Sequence, residues 1–291
     1  MSDFKIFCFG FGQVAKNFIK KIKSKNINYK LSVTSRDESG IRKFENKDYQ
    51  SFKFNEQDYD ENLIKDLEEA EYILISIAPK KGKDIVIKNF GDKFNNPKIK
   101  WITYLSATSV YGNHDGKWVD EKSETKPTSN SGTERLEAEK DWLRLHEQYN
   151  CPVQIFRLSG IYSNQYNILN RLKSGEAKIV NKKNHFFSRI HVEDIANVLY
   201  QSLDRLKKGE VYNISDDRPA SNEEVIAYGV KLLGIKKPGI LKINDIQSEM
   251  LKNFYKDSKK VSNKKMKNFF KLDLKFPSYI EGLNYINDNS I

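Results

Sequence analysis

Close to its beginning the chain carries the stretch Lys5-Ile6-Phe7-Cys8-Phe9-Gly10-Phe11-Gly12-Gln13-Val14-Ala15. The apolar run Lys5–Phe9 predicts a buried strand. The residues from Gln13 onward predict an amphipathic helix, because Val14, Phe18 and Ile22 recur along one helical face while lysines occupy the other. The predicted order is therefore strand, tight glycine turn, helix.

The glycine turn follows the pattern G-x-G-x-x-A, and each small residue has a mechanical role. Gly10 permits the turn, and Gly12 has no Cβ and so allows a pyrophosphate to approach the backbone. Ala15 lets the helix pack close to the strand, and the free amides at the helix start would face the phosphates. A glycine pair in such a turn can also be purely structural, but this position favours a dinucleotide site. The residues predicted to contact the cofactor here are Gly10, Phe11, Gly12, Gln13 and Val14.

Length and composition limit the remaining possibilities. A chain of 291 residues can form one α/β domain with a smaller lobe. It has no apolar run of about 18 residues and no basic-then-apolar leader, so we expect a cytoplasmic protein without a membrane span. Cys8 and Cys151 lie far apart in apolar runs, which predicts buried thiols, and the scattered histidines predict no metal site.

The net charge of +11 raises the alternative of a nucleic-acid partner. The strongest candidate is the lysine-rich stretch 252–275, which also contains Phe254, Tyr255, Phe269 and Phe270. However, lysines are spread over every predicted helix and do not form one stripe. We therefore interpret the charge as a solubilising surface and predict no nucleic-acid partner.

The second strand, Tyr29–Ser35, bears on cofactor choice because Arg36 follows it directly. An acid at this strand end usually binds the ribose hydroxyls of NAD, whereas an arginine can bind the 2′-phosphate of NADP. Ser35 and Arg36 are thus predicted cofactor contacts, with NADP favoured and NAD as the alternative. The alternatives are that Arg36 is a solvated loop residue and that Asp37 binds the ribose.

Further strands alternate with helices along the chain, at Ser51–Phe54, Tyr72–Pro79 and Ile99–Leu105. The nearly continuous apolar character of Tyr72–Pro79 is typical of a central parallel strand covered on both faces. Carboxyl ends of such strands border the cofactor in a doubly wound sheet. This adds the predicted cofactor contacts Ile77, Ala78, Pro79 and Ser106.

Several blocks of sequence together resemble the extended short-chain dehydrogenase/reductase superfamily. The similarity is to its NAD-dependent epimerase/dehydratase family, and most closely to the atypical, YeeZ-like members. The blocks that carry the resemblance over nearly the whole chain are Gly10–Ala15, Leu105–Gly112, Asn130–Glu139, Phe156–Tyr162, Arg189–Ala196 and Val211–Asp216.

The resemblance implies a Tyr-x-x-x-Lys catalytic pair, but the matching positions hold Ser131 and Arg135. The hydroxyl position of the family falls on Ala107, flanked by Ser106 and Thr108. A serine hydroxyl is a much weaker acid than a phenol, and arginine cannot act as a neutral base. Tyr111 and Tyr162 could supply a phenol by a shifted geometry, or could be core or substrate-lining residues. The candidate catalytic residues are Ser106, Thr108, Tyr111, Ser131 and Arg135.

The predicted fold is a Rossmann doubly wound parallel sheet of the α/β class with a smaller, mainly helical C-terminal substrate lobe. We assign residues 1–160 to the NAD(P)-binding domain, with 188–216 returning to its sheet, and residues 161–187 and 217–291 to the lobe. The implied function is an NAD(P)-dependent oxidoreductase or epimerase/dehydratase-like protein for a small polar substrate, with a nucleotide sugar as a candidate. The alternative is a catalytically impaired dinucleotide-binding regulator or scaffold. We expect a monomer or a homodimer.

Overall fold

A computed structural model describes residues 3–289, with the exception of 81, 83, 181, 183, 249–251, 253 and 254. Phe254 of the lysine-rich stretch lies outside the described residues. The chain divides into two compact units. Unit 1 comprises Met1–Ser106, Glu134–Arg157 and Ile195–Tyr212, and unit 2 comprises Ala107–Thr133, Leu158–Asp194 and Asn213–Ile291. Residues 107–133, which we assigned to the Rossmann domain, thus belong to unit 2.

Strands and helices alternate along most of the chain. The strands are β1 Phe4–Phe9, β2 Tyr29–Ser35, β3 Gly40–Phe44, β4 Lys47–Lys53, β5 Tyr72–Ile75, β6 Trp101–Ala107, β7 Trp118–Val119, β8 Val153–Leu158, β9 Gly160–Tyr162, β10 Arg189–His191, β11 Glu210–Ile214 and β12 Lys260–Val261. The α-helices are α1 Gln13–Ser24, α2 Asn62–Glu68, α3 Ile85–Phe90, α4 Asn130–Tyr149, α5 Ile168–Lys173, α6 Val192–Asp204, α7 Asn222–Leu233, α8 Lys264–Phe270 and α9 Tyr279–Asp288.

The main sheet has eight strands in the order β11-β8-β6-β5-β1-β2-β4-β3. Strand β1 is parallel to both β2 and β5, and β5 is parallel to β6. The strand order therefore reverses beside β1, which is the topological switch point of a doubly wound fold. This topology confirms the predicted fold class.

The hairpin β3–β4 was not predicted. Strand β4 begins at Lys47 rather than at Ser51, and β3 pairs with it in antiparallel register at the end of the sheet. The turn between them places Glu45 and Asn46 at φ of +51° and +61°. Two successive positive φ values are typical of a type I′ hairpin turn, which usually carries glycine at its second position. The absence of that glycine concealed the hairpin in the sequence.

The core of unit 1 is rich in aromatic residues. Phe9 contacts Phe90 and Phe94 with ring centroids 5.6 and 6.5 Å apart, and Trp142 of α4 packs on Phe94 at 4.9 Å. Buried polar groups anchor the same helix. Trp142 Nε1 donates to Asp84 Oδ2 at 3.0 Å, so α4 is tied to the residue that caps α3.

Unit 2 contains two small parallel sheets and most of the C-terminal helices. Strand β10 pairs with β9, and β12 pairs with β7. The prediction that Arg189–Val192 rejoins the main sheet is therefore wrong, because these residues pair with the strand that follows β8. Within the predicted return 188–216, β11 does join the eight-stranded sheet. Helix α7 is capped by Ser221, whose Oγ accepts from the Glu224 amide.

Among the described residues, no helix combines the length and the apolar character needed to cross a membrane.

Candidate functional site

The turn after β1 is held in a conformation that requires glycine. Gly10 has a φ of +85°, and a Cβ built on it would lie 2.8 Å from Ser76 Oγ. Its amide donates to Thr34 Oγ1 at 2.9 Å, and Ser76 Oγ donates to the Phe9 carbonyl at 2.9 Å. Side chains from both neighbouring strands therefore fix the turn. The hydroxyls of Thr34 and Ser76 thus brace the turn.

Gly12 has a different role from Gly10. It precedes α1 with φ of −83° and ψ of −168°, an extended conformation that any residue adopts, and no side chain caps the helix. No atom lies within 4 Å of a Cβ built at this position. The amides of the first helical turn lack intrahelical partners and carry the positive end of the helix dipole. The space in front of Gly12 thus fits a pyrophosphate, and a side chain there would fill it.

The other residues of the turn offer mainly backbone groups. The Phe11 ring packs against Phe44 and Tyr49 of the hairpin, with centroids 5.2 and 5.1 Å away. Val14 is buried. Gln13 is half-buried, and its Oε1 has no hydrogen-bond partner among the described residues. Gln13 is therefore a side chain of this turn with a polar atom left for a ligand.

The end of β2 presents a free cation. Arg36 is exposed, and within the described part of the chain it forms no ion pair or hydrogen bond. Asp37 beside it is paired, because its Oδ2 lies 3.3 Å from Arg42 Nη1. Ser35 Oγ donates weakly to the Asp37 carbonyl at 3.4 Å. Arg36 is thus the side chain at this strand end that could receive an anion.

The ends of β5 and β6 complete the row of strand ends in unit 1. Strand β5 stops at Ile75, earlier than the predicted Pro79, and is followed by the half-buried Ile77, the exposed Ala78 and the buried Pro79. Ser106, near the end of β6, is buried, and its hydroxyl has no partner among the described residues. Since β1, β2, β5 and β6 run parallel, the predicted cofactor contacts lie at one edge of the sheet.

Arg135 on α4 is anchored at the end of β6. Its Nη1 donates to the Leu105 carbonyl at 3.0 Å, and the side chain is half-buried. Beneath it, burial raises the pKa of Tyr104, and the nearby Arg135 charge opposes that shift. Arginine stays protonated, so Arg135 can donate to a ribose or a phosphate but cannot take up a proton.

Thr108, Tyr111 and Ser131 lie in unit 2. Tyr111 is fully buried, and its hydroxyl donates to Asn213 Oδ1 at 2.7 Å. Tyr162 is also buried, its hydroxyl donates to the Ser278 carbonyl at 3.3 Å, and burial raises its pKa. These contacts favour the interpretation of both tyrosines as core residues. Ser131 is exposed and lies 3.3 Å from the Ser129 hydroxyl.

The helix that carries Arg135 also carries a buried ion pair, which the sequence did not indicate. Glu139 accepts bonds of 2.7 to 3.2 Å from Arg157 of β8, and the two side chains are 2% and 7% exposed. The pair fixes the register of α4 against the sheet one helical turn from Arg135. No group of histidine, cysteine or acidic side chains in the described residues could hold a metal ion.

Known proteins resemble this chain in sequence and in structure. The model of the NAD dependent epimerase/dehydratase family matches residues 93–215. Protein YeeZ of Escherichia coli (strain K12) is 30% identical over 141 residues, which cover 48% of this chain. The match spans 49% of that curated relative, about half its length.

Solved structures extend the similarity over the whole chain. A functionally unknown conserved protein from Silicibacter pomeroyi DSS has a TM-score of 0.85 and 31% identity, with 98% of each chain covered. UDP-glucuronic acid 4-epimerase from Bacillus cereus, solved in complex with NAD, has a TM-score of 0.76 over 97% of this chain and 98% of its own. Its identity of 18% shows a shared fold. Residues 93–215 thus match the NAD dependent epimerase/dehydratase family, and the chain shares its fold with the UDP-glucuronic acid 4-epimerase.

Proposed function

We propose that unit 1 binds NADP at the end of its parallel sheet and that the protein is an oxidoreductase or epimerase for a small polar substrate. The observation that carries the proposal is the turn at Gly10 and Gly12. One glycine is required by its positive φ, while the other leaves open space in front of the free amides of α1. A turn selected for folding alone needs only the first glycine.

The preference for NADP over NAD rests on Arg36. A guanidinium can form charge-assisted hydrogen bonds to a 2′-phosphate, and NAD offers no such group. Arg36 needs no prior ion pair to be broken within the described residues. Hydrogen bonds to charged groups contribute about 1.5 to 3 kcal/mol each, so a preference of roughly tenfold or more is expected.

The substrate class is inferred from the family. The similar solved structures include an enzyme named for UDP-glucuronic acid and one named for UDP-N-acetylglucosamine. We propose a nucleotide sugar, or a compound of comparable polarity, as the substrate. The bound cofactor would supply hydride transfer, and the chain would supply position and charge through Arg135, Ser106 and the turn amides.

Catalytic competence depends on whether Ser131, Ser106 or Thr108 can replace the missing tyrosine. The burial of Tyr111 and its bond to Asn213 favour a second candidate function, a dinucleotide-binding regulator or scaffold with little turnover. Both functions require cofactor binding, and they differ in chemistry.

The test combines binding with product analysis. Purified protein is titrated with NADPH and NADH by nucleotide fluorescence, and is then incubated with a panel of UDP- and dTDP-sugars and with NADP or NAD in the oxidised form, which can accept hydride from the sugar. Changing absorbance of the nicotinamide, or an epimerised sugar detected by chromatography, supports the enzyme. Tight NADPH binding with no product across the panel supports the regulator. Failure to bind either nucleotide contradicts both.

A further inference from the structure

The loop between β2 and β3 carries charges of both signs. Arg36 is followed directly by Asp37 and Glu38, and the three side chains are exposed. Uncompensated, two carboxylates beside Arg36 would cancel its charge and repel a phosphate. An acid near this strand end is also the group that binds the ribose hydroxyls of NAD. The loop therefore carries both an arginine that could bind the 2′-phosphate of NADP and acids that could bind the ribose hydroxyls of NAD.

The hairpin β3–β4 neutralises both acids. Arg42 of β3 lies 3.3 Å from Asp37 Oδ2 through Nη1, and its Nη2 donates to the Glu38 carbonyl at 3.1 Å. Lys53 at the end of β4 lies 3.2 Å from Glu38 Oε1, and its amide donates to Ser39 Oγ at 2.9 Å. Each acid is therefore paired with a hairpin cation, while Arg36 stays unpaired among the described residues.

These ion pairs contribute little to folding. Arg42 and Asp37 side chains are 39% and 71% exposed, and such pairs stabilise a protein by a small amount at most. Their effect on a neighbouring anion is different, because Arg42 both compensates the Asp37 charge and fixes the direction of its carboxylate. Lys53 is shared between Glu38 and Asp58, at 3.2 and 3.4 Å. With Arg42 paired to Asp37, Arg36 is the cation of the loop that has no acidic partner among the described residues.

We propose that Arg42 is a specificity-determining residue, which holds Asp37 in an ion pair so that the loop accepts a 2′-phosphate and not a free ribose. The proposal rests on the proposed NADP site. It assigns cofactor choice to the hairpin as well as to the strand end.

The test measures dissociation constants for NADPH and NADH in the binary complex, so that no turnover is needed. Arg42→Ala should weaken NADPH binding by about tenfold at low salt while NADH binding stays equal or improves, because a freed Asp37 repels the phosphate and can accept from the ribose. Arg42→Ala combined with Asp37→Asn should recover NADPH affinity to within about threefold, since the repelling charge is gone.

Arg144→Ala is the matched control. It removes an arginine whose exposed ion pair with Asp141, at 2.9 Å, lies on α4. This variant should bind both nucleotides like the wild type.

An unchanged NADPH to NADH ratio in Arg42→Ala would overturn the proposal. So would an equal loss for both nucleotides, which would indicate a merely structural role for the hairpin. If the wild type itself lacks NADPH preference, or Arg36→Ala leaves the preference intact, the proposed NADP site fails instead. If Arg36→Ala removes the NADPH preference but Arg42→Ala does not change it, the NADP site stands and only the role of Arg42 is disproved.

Discussion

The two glycines of the turn should respond in opposite ways to the same substitution. In Gly12→Val the new side chain enters space with no atom within 4 Å of its Cβ, and the backbone angles suit valine. The remaining cost is a poorer residue at the start of α1, about 1 kcal/mol or less. The side chain would, however, occupy the proposed place of the pyrophosphate. We expect NADPH affinity to fall at least about 100-fold, which corresponds to about 2.8 kcal/mol.

Gly10→Val should damage folding instead. A β-branched residue at φ of +85° is strained, and its Cβ would lie 2.8 Å from Ser76 Oγ and 3.3 Å from Ile77 Cγ1. Strain and overpacking together should cost about 2 to 4 kcal/mol of unfolding free energy. Gly239→Val is the matched control, because it also adds valine at an open glycine without positive φ.

The assay is urea denaturation followed by fluorescence of the buried Trp101 and Trp142, both in unit 1, together with NADPH titration. Gly12→Val should unfold close to the wild-type midpoint and bind NADPH at least about 100-fold more weakly, while Gly239→Val should match the wild type in both measurements. Normal NADPH binding by Gly12→Val would refute the assignment of the pyrophosphate to this turn. A urea midpoint of Gly12→Val far below that of the wild type would show that the space in front of α1 is not open.

Three further variants test separate parts of the account. Glu139→Gln removes the carboxylate that pairs with the buried Arg157 and should cost about 3 to 5 kcal/mol in urea denaturation. Glu139→Met combined with Arg157→Met should recover most of that loss, and equal losses would contradict the ion-pair argument. Burial lowers the pKa of His191 from 6.5 to about 4. The contribution of the neutral His191 to the free energy of unfolding is therefore complete above pH 6.5 and is lost as the pH falls to about 4, a change of about 3 kcal/mol. His191→Phe should abolish this part of the pH dependence in urea denaturation. A His191→Phe variant with the wild-type pH dependence would contradict this pKa. Arg36→Ala should remove most of the NADPH preference with NADH affinity nearly unchanged, and Arg205→Ala, which removes an exposed arginine of unit 1, should leave the preference intact.

Local patterns predicted the beginning of the fold well. Strand β2 has the predicted bounds, and α1 begins at Gln13 as its apolar spacing indicates. Both depend on periodicity within a short window, which the sequence displays directly. The turn at Gly10 was also predictable, because a backbone with positive φ favours glycine.

Features that depend on distant residues were not predictable. The Tyr111 hydroxyl is held by Asn213, a partner far along the chain, so the sequence left its role open between acid and core residue. Thr34 accepts from the Gly10 amide, and no sequence pattern distinguishes such a hydroxyl from a ribose contact. The pairing of Asp37 with Arg42 depends on a hairpin whose turn lacks the usual glycine.

The most direct test of the account is a calorimetric titration of the wild-type protein with NADP and with NAD, at low and at moderate ionic strength. We expect one site per chain, binding of both nucleotides, and a roughly tenfold or greater preference for NADP that decreases as salt screens the 2′-phosphate. Equal affinity for the two nucleotides would make Arg36 a solvated loop residue. Absence of binding for both would contradict the central claim that unit 1 holds a dinucleotide.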